Sequence, residues 1–170
     1  MKWLRILALF ALPAGATSMA PLALPQLAVA ADRIAVAHVE SQVAQWTAGG
    51  SAIVTRVTLR VEQAVKGKLR AGERLEVLSE GGEVAGAGML IEGAARFTTG
   101  EVVLVFLEQR GGGSWTVGMA QGALHVETRN GERVVRRDLA GLRLLGPAAP
   151  VPRTLEEVLS AIAASAPEQR

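Results

Sequence analysis

The chain contains no cysteine and no tyrosine, and aromatic side chains make up 4% of its 170 residues. Each shortage removes a class of chemistry. Without thiols there is no cysteine nucleophile, no thiolate metal site and no redox switch. No disulfide can brace the fold, which therefore depends on core burial alone. Binding of single-stranded nucleic acid needs aromatic platforms for base stacking. Beyond the N-terminal leader the supply is Trp46, Phe97, Phe106 and Trp115, too few for such a surface. Charge of one sign is also scarce. The net charge of +2 comes from 18 basic and 16 acidic side chains, and Lys2 and Arg5 of the leader account for the excess, leaving 16 against 16. A balanced chain has no field to gather phosphates, so no nucleic-acid partner is expected.

What the chain does have is 49% hydrophobic residues and 19 glycines, ordinary for a folded globule. The N-terminus reads as a secretory leader. Lys2 and Arg5 precede the apolar run Ile6–Leu12, and small residues follow as far as Ala28-Val29-Ala30, an A-x-A site. Cleavage near Ala30 is expected, with Ser18-Met19-Ala20 as the weaker alternative, and the product is secreted or periplasmic. No later run approaches the roughly 20 apolar residues of a membrane span, and the leader has no cysteine for a lipid. The expected organisation is a signal peptide over 1–30, a β domain over 31–145, a Pro-rich linker over 146–152 and a helix over 153–166.

From Arg33 the apolar residues recur with period two, the strand period. Arg33–Val39 forms a first strand that continues towards Trp46. The alternation is clearest from Ala52 to Ala64, where Ile53, Thr55, Val57, Leu59 and Val61 share one face while Arg56, Thr58, Arg60 and Glu62 share the other. Arg74–Ser79 is a third strand. Glu80–Gly88, with four glycines, reads as a loop or bulged edge, and Met89–Ile91 as a short strand. The six apolar residues Val102–Leu107 read as a central strand covered on both faces. Trp115–Met119 follows. Asn130-Gly131 between Ala123–Thr128 and Glu132–Arg137 marks a type I′ hairpin, since both turn positions require positive φ. Leu142, Leu144 and Leu145 add a short element. After Gly146–Pro152, Thr154 and Glu157 form a capping box ahead of Leu155, Val158, Leu159 and Ile162, spaced i, i+3, i+4 and i+7. A single amphipathic helix of that length must dock to be stable. The fold class is thus mainly β, a small antiparallel OB-like β-barrel with one C-terminal amphipathic helix.

Little in the chain assembles into a catalytic set. His38 and His125 stand at no local metal-ligand spacing. Ser41, Ser51, Ser79 and Ser114 lie in neither a G-x-S-x-G nor an S-x-x-K context. The glycines at 81–88 lack the G-K-[ST] ending of a phosphate loop. Glu156 and Glu157 are placed to serve the helix N-terminus, and Arg129, Arg133, Arg136 and Arg137 are diluted by Glu127, Glu132 and Asp138. No catalytic residue, metal or cofactor is therefore expected.

The order Thr55-x-Val57-x-Leu59-x-Val61, Lys66-Gly67, Leu75-x-Val77, a glycine-rich segment and Phe97-x-x-Gly100-Glu101-x-x-Leu104-x-Phe106 resembles netrin-like modules. These OB-type barrels include the tissue inhibitors of metalloproteinases, and exported bacterial proteins share the same strand–Lys-Gly–strand–Gly-Glu order. The resemblance implies a small barrel with a helix, a form that binds partners. It departs where the inhibitors use an N-terminal cysteine, which this chain lacks, so no inhibitory residue carries over. The expectation is an exported, non-enzymatic β module that binds a protein or envelope component. Its candidate surface is Trp46, Gly82, Glu83, Trp115, Arg133 and Arg136. The alternatives are a barrel holding a small ligand inside and a hydrolase using His38 or His125.

Overall fold

The computed structural model describes residues 17–165; most of the leader expected over 1–30 lies outside the described residues. The elements, in chain order, are β1 (Thr17–Met19), α1 (Leu24–Ala30), β2 (Arg33–Trp46), β3 (Ile53–Lys66), β4 (Arg74–Glu80), β5 (Gly82–Val84), β6 (Ala87–Met89), β7 (Val102–Arg110), β8 (Gly113–Thr116), a 3₁₀ turn at Met119–Gly122, β9 (Ala123–Arg129), β10 (Glu132–Arg137), β11 (Leu142–Leu144) and α2 (Leu155–Ser165). The chain is mainly β with a C-terminal helix, as its periodicity predicts.

The main sheet runs β10-β9-β7-β2-β3-β4-β8, and β8 pairs again with β7. Five strands therefore close a ring: β2, β3, β4, β8 and β7. All the contacts are antiparallel except β4–β8, a parallel join at Leu78 and Trp115. One edge of β7 is divided between two neighbours, β9 along Val102–Val105 and β8 along Leu107–Arg110. This division lets β9 and β10 extend the sheet outside the ring.

Period-two patterning places Val57, Leu59, Val61, Leu75, Val77, Val103, Val105 and Leu107 in one core, inside the ring. The opposite faces of β2 and β7 send Ile34, Val36, Leu104 and Phe106 into a second core. There they meet Leu24, Leu27, Ala28 and Ala31 from α1 and its end, and Leu155, Val158 and Ile162 from α2. The expectation for Val102–Leu107 holds: Val103 through Leu107 are fully buried.

Several boundaries move. The expected loop at 80–88 contains a two-strand hairpin, β5–β6, turned at Ala85 and Gly86, both with positive φ. β6 ends at Met89, so Leu90 and Ile91 are not strand. β8 begins two residues before Trp115, and Met119 opens the 3₁₀ turn. The second hairpin is as expected: Asn130 and Gly131 both have positive φ, and Glu132 pairs with Arg129. At the start of α2 the Thr154 amide donates to Glu157 Oε2 at 3.1 Å and the Glu157 amide donates to Thr154 Oγ1 at 3.2 Å. The apolar face of α2 docks on α1 and the sheet.

The departure with most consequence is α1, since the sequence reading puts residues 24–30 at the end of the leader. Leu27 is fully buried and Leu24 is 4% exposed. Lys66 closes the helix C-terminus by donating from Nζ to the carbonyls of Ala28 and Ala31 at 2.7 and 2.6 Å, a cation where the helix dipole is negative. Truncating a buried leucine removes its transfer free energy and leaves a cavity. Leu27→Ala is therefore expected to lower unfolding stability by about 2–5 kcal/mol in urea titration. A change below about 0.5 kcal/mol, the range of surface substitutions, would show that α1 is not part of the core.

Candidate functional site

The principal concavity lies outside the ring, where α2 crosses the end of β3 and the β9–β10 turn. It is a groove of about 760 Å³. Gln63 and Val65 of β3, Arg133 of β10 and Leu159, Ser160 and Ala163 of α2 form its walls. The amphipathic pattern of α2 accounts for this composition. Leu155, Val158 and Ile162 point into the core, which leaves the flank carrying Leu159, Ser160 and Ala163 to face the groove. The volume falls in the usual range for ligand and peptide pockets.

A three-residue polar rim stands beside it. Glu62 receives a bidentate contact from Arg133, with Nη2 to Oε2 at 3.1 Å. The same carboxylate lies 3.2 Å from Nε2 of His38. The three side chains come from β10, β3 and β2, and only the sheet curvature unites them. Glu62 was assigned to the wet face of its strand, and no local pattern marks it as the residue that collects His38 and Arg133.

The proposed surface residues fall into separate places. Trp46 ends β2 at 44% exposure, and β5 packs alongside β2. Gly82 sits so close to Ala44 that an added Cβ would lie 2.9 Å from the alanine methyl. Trp46, Gly82 and Glu83 therefore share one end of the sheet. Arg133 binds Glu62, nine residues along β3 from Ile53, the cross-strand partner of Trp46. That separation is roughly 30 Å at the strand rise, so the tryptophan end and the arginine end are distinct surfaces. Trp115 belongs to neither. Its Nε1 donates to the Arg110 carbonyl at 3.0 Å, and the Arg110 guanidinium lies 5.1 Å from its ring centroid, a cation–π seal over the β7–β8 turn. Arg136 pairs with Glu127 at 3.5 Å and Asp138 at 3.8 Å.

The second histidine is shielded. His125 is 7% exposed, and its Nδ1 lies 2.9 Å from Glu101 Oε2. The other Glu101 oxygen accepts the Thr98 amide at 2.6 Å. Two of the four serine hydroxyls are engaged: Ser79 donates to the Ala95 carbonyl at 2.5 Å, and Ser114 accepts from Arg33 at 3.0 Å. Among the described residues no three His, Asp or Glu side chains gather into a metal-holding group. The ring interior is filled by Val57, Leu59, Val77, Val103, Val105 and Leu107, so a partner has to be met on the outer surface, where the groove is one of several concavities.

Further charges pair across the wet face of the sheet. Glu40 takes Arg60 and Arg74 together, the latter at 2.6 Å, and Arg56 pairs with Glu76. Hydrogen bonds from Arg74 and Arg60 hold the Glu40 carboxyl below the usual carboxylate range. Arg56 does the same for Glu76, and Arg129 for Glu127. The Ala140 amide lowers Asp138.

A carboxylate whose pKa is lower folded than unfolded adds stability that is complete above the unfolded value. That stability is lost as pH falls through the folded value. The urea midpoint is therefore expected to be flat near neutrality and to fall towards about pH 3, with a shallower fall in Glu40→Gln. An identical acid limb in the variant would show that the Glu40 pairs do not couple to folding. A scan against family models finds no match for this chain, and no curated protein matches it.

Proposed function

We propose that the protein is an exported, non-enzymatic binding module that holds a protein of the cell envelope in the groove between α2, β10 and β3. One observation supports this reading above the others. The groove combines apolar Val65, Leu159 and Ala163 with polar Gln63 and Ser160, while His38 pairs with Glu62, His125 with Glu101 and Ser114 with Arg33. An apolar floor with a few polar positions and a charged rim is the usual make-up of a protein-docking surface. Export is read from the leader sequence. The five-strand ring is compatible with an OB-type scaffold, on which binding sites are built from strands and adjoining loops.

Glu62 and Arg133 give the rim both signs of charge, which favours a partner segment that is itself mixed rather than uniformly acidic or basic. A photo-crosslinking side chain at Ser160 or Gln63, expressed in the exporting cell, is expected to capture one envelope protein. The same group at Ser51, exposed in the β2–β3 turn at the opposite end of β3, is not, and excess unlabelled protein should compete the capture away. Equal capture at groove and control positions, or none at either, would overturn the groove as the docking site.

A further inference from the structure

The first fifteen described residues are bound into the fold by groups that have no other use for their polar atoms. β1 pairs in parallel with β11, Thr17 opposite Leu142 and Met19 opposite Leu144, and Leu145 donates its amide to the Met19 carbonyl at 2.9 Å. Gln121 is fully buried. Its carboxamide accepts the Leu22 amide at 2.7 Å and donates to the Ala20 carbonyl at 3.1 Å. Arg137 donates to the Leu22 carbonyl at 3.2 Å, and its Nε and Nη2 are buried without a partner. Lys66 is spent on the end of α1. A chain cut after Ala30 would take both of these bonds from Gln121, strip Arg137 of this hydrogen bond and uncover the outer faces of Ile34, Val36 and Phe106. Lost hydrogen bonds and an uncovered apolar face each oppose folding.

Residues 17–31 therefore belong to the working protein, and an exported chain needs a cut upstream of them. The sequence supplies one. Ala14-Gly15-Ala16 places small side chains at the two positions a leader peptidase reads, after the Ile6–Leu12 apolar run and its basic start. The next residue, Thr17, lies in β1. We propose that the leader is removed at the Ala16–Thr17 bond and that Thr17–Ala31 is retained as a structural part of the exported module. Water adds across the amide and the C–N bond breaks: the Ala16 carbonyl carbon takes the water oxygen and leaves as a carboxylate, and both water hydrogens end on the Thr17 nitrogen, which leaves as an ammonium. Both the site and the retained segment rest on the export reading above.

The test is intact mass and N-terminal sequencing of the full chain recovered from an exporting bacterial host. The expected product begins at Thr17. Ala16→Arg should accumulate as precursor, while Ala30→Gln, an exposed position at the end of α1, should be processed like the unaltered chain. An exported product beginning at Pro21 or Ala31, or a block by Ala30→Gln, would overturn this site and leave export standing. Unaltered protein recovered only inside the cell with Met1 still attached would overturn the export reading and this site with it.

Discussion

The rest of the structure depends on β7 being apolar on both faces. Val103, Val105 and Leu107 face the ring interior, while Leu104 and Phe106 face outward, and all five are fully buried. A strand of this kind must be covered twice, and the closed ring can cover it only once. The second cover is the pair α1 and α2, whose apolar residues meet over Ile34, Val36, Leu104 and Phe106. Without disulfides, the two cores share the task of holding the fold, and neither helix is long enough to persist undocked. The helices are thus the outer half of the hydrophobic core.

The same arrangement creates the candidate site. Because α2 is drawn onto the outer core by Leu155, Val158 and Ile162, its flank stands over the end of β3 and leaves the groove between them. β3 is irregular in this region: its register with β2 shifts between Val36 and Ala37 and again between Ile34 and Ala35. Such bulges sharpen the local twist and discourage edge-to-edge pairing. A helix-covered, bulged edge favours recognition through side chains over strand addition. Glu62, at the first shift, is thereby turned to meet both His38 and Arg133.

Most of the strand order was legible because its signals are local. The alternation from Ile53 to Val61 reports a half-buried sheet, the Val102–Leu107 run a doubly covered strand, and Asn130-Gly131 a turn that few other residue pairs can make. The Thr154–Glu157 box fixed the start of α2. The β5–β6 hairpin was missed because Ala85 occupies a positive-φ position that alanine rarely adopts. Helix α1 was missed because its apolar and small residues fit the end of a leader as well as a helix. Its real signal was present in Leu24, Leu27, Ala28 and Ala31, spaced i, i+3, i+4 and i+7. The groove and its rim were not legible, since Glu62, His38 and Arg133 are joined by long-range strand pairing that no local period encodes. The proposed tryptophan and arginine residues shared a list in sequence but occupy different surfaces.

The claim that α1 completes the core shared with β7 is tested most directly by amide hydrogen exchange on the full chain. The amides of Leu27 and Ala31, which bond to Ala23 and Leu27, should exchange only through global opening, at the same free energy as those of Leu104 and Phe106 in β7. Fast exchange at residues 24–31 alongside full protection of β7 would contradict the account, because it would mean that the strand keeps its outer cover without this helix.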